Sequence, residues 1–580
     1  MIYITLYLIY ALFVLFIIGS LTQRLFAKLP RFRSSTFSPD PVNTLILGII
    51  ALTTLVSFIS IIYPITPYVH IGVLVLLLLY AYGDRKYICD AIKHLLSRIK
   101  SSPYLFTLGS ICLFSAMLYA SGPVTLYDTG LYHAQAVKWL NEYGAVPGLG
   151  NLHHRLAFNS SWFCFSAFFD IMAFDGKISH IVNLIVFLLG LSLCFSGFSE
   201  IFRGNISISN ILKCFFALPF LTDRILFIDF LPSLSPDLLI FVLILYVTIL
   251  AVKYVEQRDI ANNTEIDSQH QIFILLLCTA FFLPTVKLNS LPVLLFPFFI
   301  ISMTENRTMN MSILSCLVGI MILLPFLIRN VILSGYLVFP LPEIDLLSFD
   351  WKIPYDAVVN VRKGIKYFAV NPQPGAKAWA VAGMSTIELA QFWLARNLRN
   401  PLNYWLVISF ISATVFHIIC LKRKLLICLD LLAIKGILLL GIVYWFFSAP
   451  LYRFGKGWLW GFIILSLAVS FYLVAKSLRV QFVSWLSRFV IVLVCVALMN
   501  VLLLRWESLE LIFGPPSDLL WKIRTLPKEK MRAVEIHEGF VVNIAPRERA
   551  WNADLPSSPY LKYHLRMRGS TLKEGFRVAK

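Results

Sequence analysis

Apolar runs long enough for helices recur along almost the whole chain, separated by short polar breaks. A bilayer core takes roughly 20 apolar residues per spanning helix. Runs near that length cover residues 2–19, 44–62, 71–82, 104–120, 180–197, 238–254, 312–328, 403–420 and 458–475. Shorter runs at 211–221, 271–284 and 291–303, a run from Leu425 with an expected bend near Lys435, and a last run at 487–504 bring the count to about fourteen. The ten-residue alternation of a transmembrane barrel is absent. The pattern predicts an all-α integral membrane protein with about 12–14 spans. Ile2 to Ile18 has the length of a signal peptide, but no basic stretch precedes it and no A-x-A site follows, so it reads as the first helix.

One stretch interrupts the pattern with unusual density. Tyr127-Asp128-Thr129-Gly130-Leu131-Tyr132-His133, Asn151-Leu152-His153-His154-Arg155 and Asn159-Ser160-Ser161-Trp162 place an acid, three histidines, an arginine and several amides between two apolar segments. Polar groups are costly in hydrocarbon, so such a cluster at a helix end is either a solvated loop or a working site.

Composition adds the orientation. The 580 residues are 58% hydrophobic and carry a formal net charge of +19, which by itself would suit a polyanion partner. The basic residues are distributed otherwise: Arg24, Lys28, Arg31 and Arg33, then Arg85, Lys86, Lys93, Arg98 and Lys100, lie between helices, where the positive-inside rule puts them. No nucleic-acid partner is expected. With those clusters cytoplasmic, the alternation of spans puts both termini outside the membrane and divides the chain into N-terminal transmembrane helices (1–121), a first large external loop (122–178), a transmembrane core (179–330), an external subdomain (331–401), C-terminal transmembrane helices (402–504) and an external hydrophilic tail (505–580). The ten cysteines are scattered through apolar runs without a C-x-x-C pair and read as small buried hydrophobes.

On this topology Asp128, His133, His153, His154, Arg155, Asp223, Arg224, Asp237, Lys287, Arg329 and Arg453 all fall at one side of the membrane. Acids able to act as a base stand among cations able to neutralise a phosphate, a mixture suited to group transfer from a phosphate-bearing lipid. Each has a plainer reading. Asp128 can cap the Thr129–Leu140 segment, Lys287 can snorkel between two short helices, and Arg329 and Arg453 can anchor at the interface. Asn159-Ser160-Ser161 matches a glycosylation sequon. Adjacent His153 and His154 lack the i, i+4 relation of a helical metal pair, so a divalent metal is possible but not required by the sequence.

The segments Tyr127–His133, Tyr143–His153 and Phe158–Trp162 resemble a family of largely uncharacterised bacterial multi-pass membrane proteins that is itself similar to the GT-C glycosyltransferases. The resemblance implies a GT-C-like transmembrane bundle with external loops and a small C-terminal external domain, and a polyprenyl-phosphate-linked sugar as donor. It implies that Asp128 is the essential acid of the first external loop, although three helices precede the usual first one and Thr129-Gly130 stands where metal-dependent members carry a second acid. Ser235-Pro236-Asp237, Lys287, Ile328–Tyr336 with Pro340, and Arg453-Phe454 are further echoes, implying that Lys287, Arg329 and Arg453 face the donor phosphate. Trp551–Pro556, Pro559-Tyr560, Leu565–Gly569 and Gly575–Arg577 resemble the family's carboxyl end, but Ala550 and Ser557 replace an expected cysteine pair.

The expected enzyme therefore uses Asp128 on the acceptor hydroxyl. Tyr127, Tyr132, His133, His153, His154, Arg155, Asn159 and Asp237 line its substrates, and Lys287, Arg329 and Arg453 meet the phosphate. The alternatives are a transporter or flippase of a lipid-linked or acidic solute, and a non-catalytic component of polysaccharide assembly.

Overall fold

In a computed structural model of the chain, the described residues are 2–28, 40–90, 92–93, 103–170, 179–223, 229–258, 263–304, 308–373, 375–423, 427–477, isolated positions between 485 and 496, and 525–579 apart from 538 and 563. Arg31, Arg33, Arg98, Lys100, Arg224, most of the expected last helix and residues 505–524 of the tail lie outside them.

The helices follow the apolar runs. They are α1 (Ile2–Ala27), α2 (Pro41–Ile62), α3 (Pro67–Gly83), α4 (Pro103–Ala120), α5 (Ala134–Glu142), α6 (Ser161–Phe168), α7 (Val182–Phe202), α8 (Ile208–Phe215), α9 (Asp237–Arg258), α10 (Asn263–Val286), α11 (Leu295–Ser302), α12 (Thr308–Ser334), α13 (Tyr355–Val370), α14 (Thr386–Asn397), α15 (Pro401–Arg423), α16 (Ile427–Ser448) and α17 (Tyr452–Ser477). Among the described residues, α1, α2, α4, α7, α9, α10, α12, α16 and α17 are long and apolar enough to cross a membrane, the architecture of a multi-pass membrane protein. Helix α9 is buried along nearly its whole length and forms the centre of the bundle. Helix α16 runs through Lys435 as one continuous helix.

Of the two runs expected to be short around Lys287, the first lies within α10, whose Ser268–Val286 segment is long and apolar enough to span, and the second has a simple geometric account. Lys287 is extended (φ −160°, ψ 129°) and ends α10. The chain returns through a 3-10 helix, Leu288–Leu294, and then α11. A 3-10 helix rises about 2.0 Å per residue against about 1.5 Å for an α-helix, so these 15 residues reach about 26 Å. A stretch too short for an α-helical span thus covers most of a hydrocarbon core.

Ion pairs mark the two ends of the bundle. At one end Arg24 meets Asp84 at 2.5 Å and Arg258 meets Asp430 at 2.7 Å, while Glu256 accepts from the Ile208 amide at 2.6 Å. At the other end lie the last turns of α2, α4, α10, α12 and α16, the first turns of α9 and α17, and the whole Tyr127–Trp162 stretch.

The tail folds on that second end. Strands β1 (Arg532–His537) and β2 (Phe540–Ile544) pair antiparallel, β3 (Ser557–Ser558) adds to β2 in parallel, and β4 (Leu565–Met567) pairs antiparallel with β5 (Phe576–Val578). These strands bury Phe540, Val542, Leu565 and Phe576 against Trp139, Val146, Leu149, Leu152 and Leu333. Backbone bonds seal the contact: Trp551 donates to the Gly130 carbonyl and Phe576 to that of Pro147, both at 2.9 Å. A Cβ on Gly130 would stand 2.7 Å from the Trp551 ring, so that position must be glycine for the tail to dock as it does. Where the family resemblance led one to expect a cysteine, Ser557 ties the tail to the loop by donating to Gln135 at 2.6 Å. Truncating fully buried Phe576 to alanine is expected to cost about 3–5 kcal/mol of docking stability. In nanodiscs, protease should then nick residues 525–579 faster than in the wild type while the fragment up to residue 477 stays intact.

Candidate functional site

Pro123, which lacks an amide hydrogen, follows the end of α4 and stops helix propagation. The chain re-enters helix at Asp128, whose backbone is itself helical (φ −65°, ψ −26°) and whose carboxylate makes no capping bond. The capping role is therefore not the one Asp128 has. Instead it forms an ion pair with Arg453 in the first turn of α17. Residues Thr129–His133 form a π-helical turn, a rare conformation that gathers at functional sites. That turn aims Asp128, Tyr132 and His133 toward one locus.

Ion pairs line this site. Beside Asp128–Arg453 stand Asp237–Lys287 and Asp223–Lys456, the last at 2.5 Å. Arg453 and Lys456 are three residues apart and share one helix face. Phe454 lies between the first two pairs, with the Lys287 ammonium 3.8 Å and the Arg453 guanidinium 4.8 Å from its ring centre, within cation–π range.

Buried amides hold these groups in place. Asn183 of α7 donates to the carbonyls of Phe230 (2.8 Å), Ser233 (2.9 Å) and Ser235 (3.0 Å), fixing the loop that delivers Asp237. Asn289 donates to the Phe454 carbonyl at 2.6 Å, and Ser160 donates to the Val286 carbonyl at 2.8 Å, next to Lys287.

Burial alone would raise the Asp128 carboxyl, but the charges of Arg453 and Arg155 hold it well below the usual carboxylate range. It is ionised at any physiological pH. Burial pushes His133 down to about 3, so its imidazole is neutral. Tyr132 is raised by burial and by Asp128. Arg155 is half-buried, about 5.9 Å from the Tyr132 and Phe158 ring centres, and is felt by Asp128. Among the described residues it has no ion-pair partner, the position of a cation free to meet an anion.

The structure separates the remaining candidates from this cluster. Arg329 is buried and donates through Nε to Asn159 at 2.9 Å and through a terminal nitrogen to Ser60, so it clamps α12 to α2 and to the first loop. Asn159, in left-handed backbone (φ 35°), also donates to the Phe326 carbonyl at 2.9 Å; it is buried, and its side chain is spent on structure. His153 packs edge-on to Tyr560 at 5.7 Å. His154 donates through Nδ1 to the Gly150 carbonyl at 3.0 Å and accepts from Lys562 at 3.2 Å. Both histidines thus face the tail. Tyr127 donates to Glu548 at 2.5 Å and is raised to about 12 by burial and by that carboxylate. Among the described residues, no three His, Cys, Asp or Glu side chains are grouped as a metal site would need.

Sequence reasoning missed Lys456, Phe454 as a spacer, Asn183 and Asn289. Lys456 was findable from its i, i+3 relation to Arg453. The two asparagines carry no signal short of the fold, because their partners are carbonyls remote in sequence.

Removing one partner of a buried ion pair costs about 3–5 kcal/mol, since the other charge is left uncompensated. Asp128→Asn is therefore expected to destabilise far more than loss of a cap would, and the double variant Asp128→Asn/Arg453→Gln to recover most of the loss. Thermal unfolding in nanodiscs reads both.

Acid sensitivity has a definite sign. His133 and His154, at about 3 and about 4 in the fold against 6.5 unfolded, bind protons more readily in the unfolded chain. Lys562, lowered by burial from 10.5 to about 7, acts in the same direction at higher pH. Stability should fall as pH drops from about 6.5 toward 4. His154→Asn should flatten that slope in a series of unfolding temperatures against pH.

A family model described as "Domain of unknown function (DUF8201)" matches residues 1–460. No curated protein and no solved structure matches the chain.

Proposed function

The chain belongs to the DUF8201 family, a family without a stated function, so its activity has to be argued from its own site. We propose a GT-C-like membrane glycosyltransferase that moves a sugar from a polyprenyl-phosphate-linked donor to an acceptor on the extracytoplasmic side, in cell-surface glycan biosynthesis. One observation carries the reading: a buried ionised Asp128 sits among Arg453, Arg155 and neutral His133 at the ends of apolar helices. That is the level at which a lipid-linked donor holds its phosphate while its chain stays in hydrocarbon.

In this mechanism the acceptor oxygen attacks the anomeric carbon, the bond from that carbon to the phosphate oxygen breaks, and the phosphate keeps the electron pair. The acceptor proton passes to Asp128. A carboxylate paired with a guanidinium is a weak base. The donor phosphate competes for Arg453, which loosens its hold on Asp128 and raises the basicity of that carboxylate when substrate is present. Arg155 and Lys287 meet the charge that develops on the leaving phosphate.

The break at Lys287, beside Asp237 and between two helical segments, also favours a transporter, in which discontinuous helices hold the solute. Purified protein supplied with polyprenyl-phosphate sugar and an acceptor distinguishes the two. Transfer should fall about 10²–10³-fold in Arg155→Ala, the scale for losing one transition-state donor, and vanish in the folded Asp128→Asn/Arg453→Gln variant. Transfer at the wild-type rate by that double variant would overturn the assignment. Movement of labelled donor across a vesicle membrane without transfer would establish transport in its place.

A further inference from the structure

Where the tail meets the first loop, two exposed tyrosines and a buried tryptophan gather around one arginine. Trp551 packs on Gly130, and its ring centre lies 5.7 Å from the guanidinium carbon of Arg549. That carbon lies 5.8 Å from the ring centre of exposed Tyr127, the residue before Asp128. Tyr127 stands in the fields of both Arg155 and Arg549. Exposed Tyr560, edge-on to His153, stands in those of Arg155 and Glu548. Side chains from the loop and from the tail thus share one outward-facing shelf beside the turn that carries Asp128.

The cations that fasten the tail have partners. Lys138 meets Asp554 at 3.1 Å, Arg568 meets Asp350 at 2.8 Å, and Lys562 donates to the Asn151 carbonyl at 2.8 Å. Half-buried Arg549 has no hydrogen bond or ion pair among the described residues, and its Nε is buried without an acceptor. The carboxylate next to it in sequence is engaged elsewhere, since Glu548 accepts from the Tyr127 hydroxyl at 2.5 Å. Glu548 and Trp551 are both in left-handed backbone (φ 62° and 45°), uncommon outside glycine, and they shape the turn that presents Arg549. Both of its ring contacts lie near the outer limit of cation–π attraction, about 6 Å. The rings therefore hold the guanidinium weakly and satisfy none of its N–H groups. A guanidinium presents those donors as a planar fork that matches a carboxylate or a phosphate. Tyrosine offers an apolar ring face with a polar tip, which suits the C–H faces and hydroxyls of a sugar.

We infer that this shelf takes an acidic saccharide, its anionic group held by the Arg549 fork and its sugar ring against Tyr127 and Tyr560. The inference rests on the glycosyl-transfer reading of the Asp128 site, and it names the acceptor class as an anionic sugar rather than a neutral one. Arg549 is a specificity residue: it meets the charge of the acceptor and neither of the bonds that change. Its loss therefore acts on acceptor affinity and not on the chemical step.

Binding to the full-length protein in zwitterionic nanodiscs tests this with a glucuronic acid trisaccharide, the same trisaccharide with its carboxyls converted to carboxamides, and a glucose trisaccharide phosphorylated at its 6-hydroxyls. The wild type should bind at least one acidic probe about tenfold more tightly than the carboxamide, the scale of hydrogen bonds to a charged group. The tighter of the two acidic probes identifies the anchored group as carboxylate or phosphate. Arg549→Gln should abolish the preference and leave the carboxamide within about twofold, whereas Arg547→Gln, at an exposed position of the same turn, should retain it. Protease resistance of residues 525–579 shows that the tail is still docked. If Arg549→Gln frees the tail, Tyr560→Ala, which removes an exposed ring, carries the test and should weaken all three probes alike. Acidic probes bound no better than the carboxamide, equal losses in the two arginine variants, or a Tyr560→Ala variant that binds every probe as the wild type does would each overturn the inference. With a polyprenyl-phosphate sugar as donor, Arg549→Gln should raise KM for an acidic acceptor about tenfold and leave kcat within about twofold. If acidic probes bind through Arg549 and no transfer occurs, the transfer reading falls and the saccharide site stands. If neutral and acidic acceptors are used equally well and Arg549→Gln changes neither, the acidic-acceptor inference alone falls.

Discussion

The ion pair between Asp128 and Arg453 joins a residue of the first large loop to the first turn of α17, 325 positions later. Taking each of these charges out of water costs several kcal/mol even after relaxation, so neither can be buried alone. The pairing requires α4, which leads to Asp128, and α17, which presents Arg453, to end at the same level of the bundle. Asp237–Lys287 and Asp223–Lys456 repeat the requirement for α9, α10 and the segment after α8. Chain reversals far apart in sequence are thereby brought to one end, while Arg24–Asp84 and Arg258–Asp430 do the same at the other.

Pairing alone would leave a loose set of long side chains. The amides of Asn183 and Asn289 turn it into a defined geometry: Asn183 gathers the carbonyls of Phe230, Ser233 and Ser235 in the loop before α9, and Asn289 ties the turn after α10 to the Phe454 carbonyl in the first turn of α17. Phe454 separates the Arg453 and Lys287 cations and screens their repulsion by presenting a ring face to each. The tail supplies the last constraint: it packs on the π-helical turn through Trp551 and Gly130, so the loop bearing Asp128 is held from the bundle side by Arg453 and from the opposite side by Trp551.

Helical spans were legible from hydrophobic run length, and the boundaries of α2, α4 and α9 fall within a few residues of the apolar runs. The segment at 291–303 looked too short because run length was converted at the α-helical rise, and the chain uses a 3-10 stretch there. Asp128, Asp237, Lys287 and Arg453 stood out because charge is rare in such a chain. Arg329 stood out for the same reason and is nonetheless a clamp on Asn159 and Ser60. Rarity marks a buried charge but does not distinguish a partner of the fold from a partner of a ligand; only the acceptors around it do that. The histidines show the converse. Their neutrality follows from burial against the tail, whose docking on residues 149–156 leaves no periodic trace in either segment.

Arg155 is the residue on which these constraints converge. Among the described residues, three neighbouring cations are balanced: Arg453 by Asp128, Lys287 by Asp237, Lys456 by Asp223. Arg155 is not, although it stands half-buried against Tyr132 and Phe158 within reach of the Asp128 field. A fold selected for stability alone would place an acid there or leave the guanidinium in water, since a partly desolvated lone charge is unfavourable. In the proposed transfer reaction, the donor phosphate would supply the missing charge and compete with Asp128 for Arg453. The structure shows the state in which Asp128 is held by Arg453; the proposed second state would share the phosphate between Arg453 and Arg155 and raise the basicity of the carboxylate.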